Sequence, residues 1–239
     1  DDGNGSSASA TVTLTINGVN DAPQLLIAAS AHNLSDGQGG IAIDSASSFA
    51  DIDQGDTLRF SVPAGSLPPG LSIDPVTGQI SGTVDRAASQ GGPASDGVYP
   101  VTVTATDSNG ATAVTTVTIG VANPPVQAQN DRETLTEDAP LTGQSVLGDN
   151  GNGADTDTGP DSDPLTVTQV NGQALVSGST LTLASGALLT INSDGSYSYN
   201  PNGQFENLGQ GASASDSFSY TIDDGNGSSA SATVTLTIN

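Results

Sequence analysis

The residues of this chain best suited to chemistry are carboxylates that occur in short clusters. The clearest cluster is DIDQGD at Asp51–Asp56, which lies between two stretches with strand character. Side chains two residues apart in an extended chain point to the same side, so Asp51 and Asp53 can present carboxylates to one point, with Asp56 close by. Ca²⁺ binds about six to eight oxygen ligands, many of them carboxylates. This spacing therefore predicts a calcium site.

Two further groups are expected at the same end of this domain. Asp107 follows Ala105 in the inward register of the strand YPVTVTAT, and Asn109 comes two residues later in the last hairpin. Asn20 and Asp21 lie in the linker that enters the domain. If the strand order is immunoglobulin-like, the DIDQGD loop and the last hairpin both lie beside that linker.

The second half of the chain repeats this pattern. Phe218, Tyr220 and Ile222 alternate inward, so Asp224 takes the register of Asp107, and Asn226 follows it as Asn109 follows Asp107. The other candidate ligands of this half are Asn130 and Asp131 near the entering linker and Asp155, Asp157, Asp161 and Asp163 in a long acidic loop.

The alternative is that these residues only cap turns, which Asp and Asn commonly do. For an isolated Asp-Gly-Asn-Gly hairpin that alternative is the better interpretation. Where three acidic clusters converge on one linker we favour calcium, because neighbouring carboxylates repel each other unless a cation neutralises them.

Other chemistries fit the sequence poorly. The segment Asp155–Asp163 is similar to part of an EF-hand loop, but Thr166 stands where that loop needs a Glu. His32 is the single histidine and there is no cysteine, so zinc and nucleophile–base sites lack ligands. A glycosidase could use a carboxylate pair, but the chain has no Trp to line a sugar cleft. We therefore predict that the protein is not an enzyme.

Composition limits the partners. The chain of 239 residues has 26 acidic residues against three arginines, a formal net charge of −23. Nucleic acid and anionic membranes are therefore excluded as expected partners, and no apolar run is long enough to insert into a membrane. We expect a monomer whose partners are neighbouring repeats of its own chain.

The elements that must position these carboxylates are strands. Alternating segments such as TVTLTI, YPVTVTAT and DSFSYTI recur between Gly, Asn and Asp clusters, and no segment has the pattern of an amphipathic helix. We predict an all-β protein with two tandem immunoglobulin-like or cadherin-like β-sandwich domains in an elongated arrangement. The predicted boundaries are 1–19 for a hairpin and linker, 20–122 for the first sandwich and 123–239 for the second.

The segment Asp1–Asn17 is repeated without change at Asp223–Asn239. Strand chemistry alone tolerates many residues at each position, so the identity indicates a duplicated segment. We interpret the first copy as the final hairpin of a preceding repeat. We expect it to be extended and held by linker ions or by a neighbouring molecule's sheet edge.

Two family resemblances follow from longer motifs. Most of Asn20–Ala122 resembles the dystroglycan-type cadherin-like, immunoglobulin-like repeat. The motifs that carry this resemblance are the DIDQGD stretch, LPPGLSID, TGQISG and the strand ending in TATDSNG. The second half resembles the cadherin-like repeats of giant RTX-family, type I secreted adhesins of Gram-negative bacteria, through the motifs NDRETLTEDAPLTG, DPLTVTQVNG and DSFSYTIDDGNG. The NDAP linker is similar to calcium-binding cadherin linkers.

These resemblances imply a function that composition alone does not. They imply a Ca²⁺-stabilised extender module of a large bacterial surface adhesin, located outside a Gram-negative cell and used in adhesion or biofilm formation. The alternative is a module that binds a carbohydrate or a protein, or that associates with copies of itself.

Overall fold

The fold of this chain is almost entirely β-structure. A computed structural model describes residues 4–5, 9–157 and 159–239, and its strands form two successive β-sandwiches. The first body contains strands β1–β9 and the second contains β10–β20. The predicted fold class is therefore confirmed.

The first body has three sheets. Its strands are β1 (Gln24–Leu25), β2 (His32–Ser35), β3 (Ile41–Asp44), β4 (Phe49–Ala50), β5 (Arg59–Ser61), β6 (Leu71–Ile73), β7 (Gln79–Gly82), β8 (Val98–Thr106) and β9 (Thr112–Ala122), with short 3-10 helices at Ala46–Ser48 and Ala88–Gln90. The sheet orders are β2-β9-β8-β5, β3-β7-β6 and β1-β4.

The second body is built in the same way. Its strands are β10 (Val126–Gln127), β11 (Asp131–Leu135), β12 (Leu141–Ser145), β13 (Thr156–Asp157), β14 (Thr166–Val170), β15 (Gln173–Ala174), β16 (Thr180–Thr182), β17 (Leu188–Ile191), β18 (Ser196–Asn200), β19 (Ala214–Asp223) and β20 (Ser229–Ile238). The sheet orders are β11-β20-β19-β14-β15, β12-β18-β17-β16 and β10-β13.

A shared topology brings the entering linker beside the last hairpin. In each body the last strand pairs in parallel with an early strand, β9 with β2 and β20 with β11. The same last strand pairs antiparallel with the strand before it along all or nearly all of its length. The turn of that long hairpin therefore lies at the end of the sandwich where the chain enters.

Each body has one apolar core between its sheets. Val101, Val103 and Ala105 of β8 are fully buried, and Phe218, Tyr220 and Ile222 occupy the equivalent places in β19. The predicted inward alternation of these strands is confirmed. The eight Phe and Tyr residues belong to the two cores, although Phe205 is only partly buried against the second.

The first copy of the repeated segment differs from the second. Val234, Leu236 and Ile238 are fully buried in β20, whereas Leu14 is 79% exposed and Ile16 is 90% exposed. No described strand of the chain pairs with Thr11–Ile16, so its alternating pattern does not form a strand here. The expectation that linker ions or a neighbouring molecule's sheet edge hold it extended stays a prediction. Residues 1–3 and 6–8 of this copy lie outside the described residues.

No helix within the described ranges has the length and apolar character needed to cross a membrane.

Identical residues in the two copies give a matched test of the core. Leu236→Ala removes a side chain that is 0% exposed, and we expect it to lower the free energy of unfolding by about 2–5 kcal/mol. Leu14→Ala removes the same side chain from a 79% exposed site, and we expect a change below about 0.5 kcal/mol. Urea unfolding of both variants measures the difference. Similar losses in both would show that the first copy is packed.

Candidate metal centres at the ends of the two sandwiches

Asp107 is fixed by the turn of the last hairpin in the first body. It directly follows β8, and its Oδ1 accepts the N–H groups of Asn109 at 2.9 Å and Ala111 at 2.8 Å. Its Oδ2 accepts the side-chain amide of Asn20 at 3.0 Å. These hydrogen bonds lower the pKa of Asp107, and the one from Asn20 has the largest effect. The carboxylate is therefore ionised and held in place.

Two carboxylates of the DIDQGD loop face Asp107. One oxygen from each of Asp51, Asp56 and Asp107 lies within 4.8 Å of the others. The Oδ1 atom of Asp51 accepts the N–H of Asp53 at 2.8 Å, and that of Asp56 accepts the hydroxyl of Ser108. The Oδ2 atoms of Asp51 and Asp56 are buried and have no hydrogen-bond partner.

The entering linker completes the first cluster. The N–H of Asp21 donates to Oδ2 of Asp53 at 2.7 Å, and the amide of Asn109 donates to Oδ1 of Asn20. All the candidate residues predicted for the first body therefore meet at one end of the sandwich. We call this group, Asn20, Asp21, Asp51, Asp53, Asp56, Asp107 and Asn109, the first cluster.

A second cluster lies at the equivalent end of the second body. One oxygen from each of Asp157, Asp161 and Asp163 lies within 4.8 Å of the others. Asp157 organises the loop, because its carboxylate accepts the N–H groups of Gly159 and Asp163, each at 3.1 Å. Burial raises the pKa of Asp161, and the nearby charge of Asp157 raises it further.

The last hairpin of the second body repeats the geometry around Asp107. Oδ1 of Asp224 accepts the N–H groups of Asn226 at 2.8 Å and Ser228 at 3.0 Å, and its Oδ2 accepts the amide of Asn123 at 2.9 Å. The amide of Asn226 donates to Oδ2 of Asp163. We call Asn123, Asp157, Asp161, Asp163, Asp224 and Asn226 the junction cluster.

The first body also reaches the junction cluster. Arg86 lies 3.9 Å from Oδ1 of Asp163, and the side chain of Gln90 donates to the carbonyl of Asn226. Asp36 is fully buried, and burial raises its pKa, with the charge of Asp163 as a smaller cause. A partner-free buried oxygen is present on each of Asp36, Asn123 and Asp161.

Sequence reasoning missed two residues of this junction. Asn123 occupies the place that Asn20 has in the first body, and the signal was an Asn directly before prolines at the end of a strand. Asp36 lies in a turn after β2, and nothing in its local sequence distinguishes it from a turn cap.

Three predicted ligands lie apart from the junction cluster. Oδ1 of Asn130 accepts the N–H of Thr233 at 2.9 Å, which ties the linker to β20. Asp131 is buried in β11, and Asp155 accepts the hydroxyl of Tyr220 at 2.9 Å. Burial raises the pKa of Asp131 to about 7, with the charge of Asp155 next in importance, and burial also raises the pKa of Asp155.

Both clusters fit a hard cation such as Ca²⁺. Each has three carboxylates with oxygens within 4.8 Å of one another at its centre and Asn side chains beside them, and each contains buried oxygens that no protein donor satisfies. A buried carboxylate oxygen without a donor is costly, and a bound cation removes that cost.

Comparison with protein families places the two bodies. Residues 122–239 match the Bacterial cadherin-like domain, and residues 23–122 match the Putative Ig domain. The first body is thus similar to Ig-family domains and the second to bacterial cadherin-like domains. Such domains are typical of adhesion and extender regions outside cells, and cadherin-like domains generally bind calcium.

The solved structures that match this chain include cadherin ectodomains. Protocadherin gammaB7 EC3-6 is 18% identical with a TM-score of 0.42, over 96% of this chain and 54% of that one. Drosophila N-cadherin EC1-4 is 18% identical with a TM-score of 0.38, over 92% of this chain and 50% of that one. The human desmocollin-1 ectodomain is 18% identical with a TM-score of 0.38, over 93% of this chain and 38% of that one.

The chain thus spans about half or less of the length of these structures. The comparison with curated proteins finds no match.

The tight contact between the bodies can be tested at a glycine. A Cβ on Gly37 would lie 2.5 Å from the Cα of Asp161, so we expect Gly37→Ala to displace the junction loop and weaken calcium binding there roughly tenfold, about 1.4 kcal/mol. Gly40→Ala is the matched control, because its φ of +70° is close to the +69° of Gly37 and nothing lies within 4 Å of its Cβ. Calorimetric calcium titrations of both variants measure this effect. Equal affinities would contradict the proposed contact.

Proposed function

We propose that this protein is a calcium-stabilised extender module of a large bacterial surface adhesin. In this role it holds a distal ligand-binding domain away from the cell for adhesion or biofilm formation. The neighbouring repeats of the same chain are its partners, the parent is an RTX-family protein secreted by the type I route, and the location is the Gram-negative cell surface.

The observation that carries the proposal is the position of the junction cluster. Its carboxylates belong to the second body, but Arg86 of the first body lies 3.9 Å from Asp163, and Gln90 donates to the carbonyl of Asn226. The charge of Asp163 also acts on the buried Asp36 of the first body. A cation bound there neutralises charge contributed by both bodies. The first cluster has the same arrangement beside the linker that precedes the first body.

The mechanism is electrostatic. Without calcium, the close carboxylates repel one another, and Arg86 is the one cation paired with them in the described part of the chain. With calcium, the ion attracts oxygens from the loop, the last hairpin and the linker at once. The joint between the bodies then becomes stiff, and a string of such units becomes a rod.

Calcium also couples stiffness to folding outside the cell. An ion that binds the folded state and not the unfolded state stabilises the fold by about 2.7 kcal/mol when its concentration is a hundred times its dissociation constant. The calcium-poor interior of the cell then favours the less folded chain needed for secretion, and the calcium outside favours the rod.

One feature favours the alternative of a binding module. A groove of about 830 Å³ in the first body lies away from both clusters, between the segments Val62–Ile73 and Gly91–Pro93. Its lining is mainly proline and aliphatic, and the hydroxyl of its Tyr99 already donates to the carbonyl of Ala88 at 2.6 Å. This chemistry suits an apolar peptide better than a sugar, and a peptide-library screen would reveal such a ligand.

Small-angle scattering with chelator and with millimolar calcium tests the extender proposal. We expect calcium to lengthen and stiffen the wild-type particle and to raise its melting temperature. The double variant Asp157→Asn, Asp161→Asn removes two junction carboxylates, and we expect it to lose the lengthening.

Asp138→Asn provides the charge control, since Asp138 is an exposed residue outside both clusters. It should behave like the wild type. A wild-type particle with the same dimensions and melting temperature in both buffers would contradict the proposal.

A further inference from the structure

We propose that the second body holds a second kind of cation site in its interior, between Asp131, Asp155 and the carbonyl oxygens of Gln129 and Val146. This site is separate from the junction cluster. It would take a divalent, oxygen-preferring ion of the Ca²⁺ class, and it does not depend on the extender role.

The first observation is a buried carboxylate whose oxygens accept no hydrogen bond of normal geometry. Asp131 is 1% exposed, and neither of its side-chain oxygens has such a partner, although the hydroxyl of Tyr220 lies close enough to lower its pKa. It lies in β11, an edge strand that pairs in parallel with β20, so its position is set by the sheet and not by a loop. A buried carboxylate in this state needs a donor or a cation.

The second observation is a surplus of acceptors around one hydroxyl. The Tyr220 hydroxyl oxygen lies 2.9 Å from the carbonyl of Gln129, 3.1 Å from that of Val146 and 2.9 Å from Oδ2 of Asp155. One hydroxyl carries one proton and can donate to only one of these three oxygens at full strength. The other two oxygens, and the nearby carboxylate of Asp131, compete for that one proton.

The charges around the site point to a divalent ion. Asp131 and Asp155 are both buried, and Glu133 and Asp149 add negative charge that acts on Asp131. Within the described ranges no arginine forms an ion pair with either carboxylate. Two carboxylates with two carbonyl oxygens form a hard, doubly negative donor set, and Ca²⁺ prefers ligands of these kinds.

The site would order the loop that supplies the junction cluster. Asp155 also accepts the N–H of Gln129 at 2.6 Å, and Asp157 comes two residues later in β13. An ion at Asp155 therefore anchors one end of the loop whose other residues, Asp161 and Asp163, face the first body. This coupling, unlike the site itself, rests on the proposed function.

Terbium luminescence excited through tyrosine tests the site, because Tb³⁺ replaces Ca²⁺ and Tyr220 would lie against the ion. We expect the full chain to give strong sensitised emission. Asp131→Asn should lose at least tenfold in affinity at the emitting site and bind one ion fewer by calorimetry. Its amide can donate to the surplus acceptors, so we expect it to fold, which circular dichroism verifies.

Asp161→Asn is the matched control. It should weaken binding at the junction cluster but keep the tyrosine-sensitised emission, which separates failure of this site from failure of the extender proposal. Unchanged ion number and emission in folded Asp131→Asn would overturn the inference. A second measurement needs no variant. If the proton and carbon chemical shifts of Tyr220 in the wild-type protein do not move when calcium is added, the inference is also overturned.

Discussion

Carboxylate oxygens without donors are the constraint on which the rest of this structure depends. The chain has 26 acidic residues and three basic ones, so most carboxylates must be satisfied by backbone N–H groups, by Asn and Ser side chains or by cations. Asp107 and Asp224 are each satisfied by protein donors, two backbone N–H groups and one Asn side-chain amide. Asp51, Asp56, Asp131 and Asp161 each retain a buried oxygen that none of these donors reaches.

The sandwich topology concentrates these oxygens where bodies meet. Because the last strand of each body pairs both with the strand before it and with an early strand, the final turn and the entering linker share one end of the domain. The same Asp, Asn and linker Asn recur there in both bodies, although the two bodies match different family models. Repulsion at this end would favour separation of the bodies, and in the proposed function a bound ion opposes that repulsion.

The alternation of apolar and polar residues along the strands made the position of the hairpin carboxylates predictable. The inward register of Val101–Ala105 places Asp107 at the core edge, and the same reasoning places Asp224. Periodicity could not place Asp131, because its burial depends on the parallel pairing of β11 with β20, a contact between distant parts of the chain. Nor could it separate Thr11–Ile16 from the identical Thr233–Ile238, because only the second copy has neighbouring strands to pair with.

The most direct test of the account is a crystal structure of the full chain grown in calcium, with the ions located by their anomalous scattering. The account predicts one peak among the carboxylates of Asp51, Asp56 and Asp107 and another among those of Asp157, Asp161 and Asp163, each within about 2.3–2.6 Å of its oxygens. Carboxylates at both ends that contact only water and backbone N–H groups would contradict it.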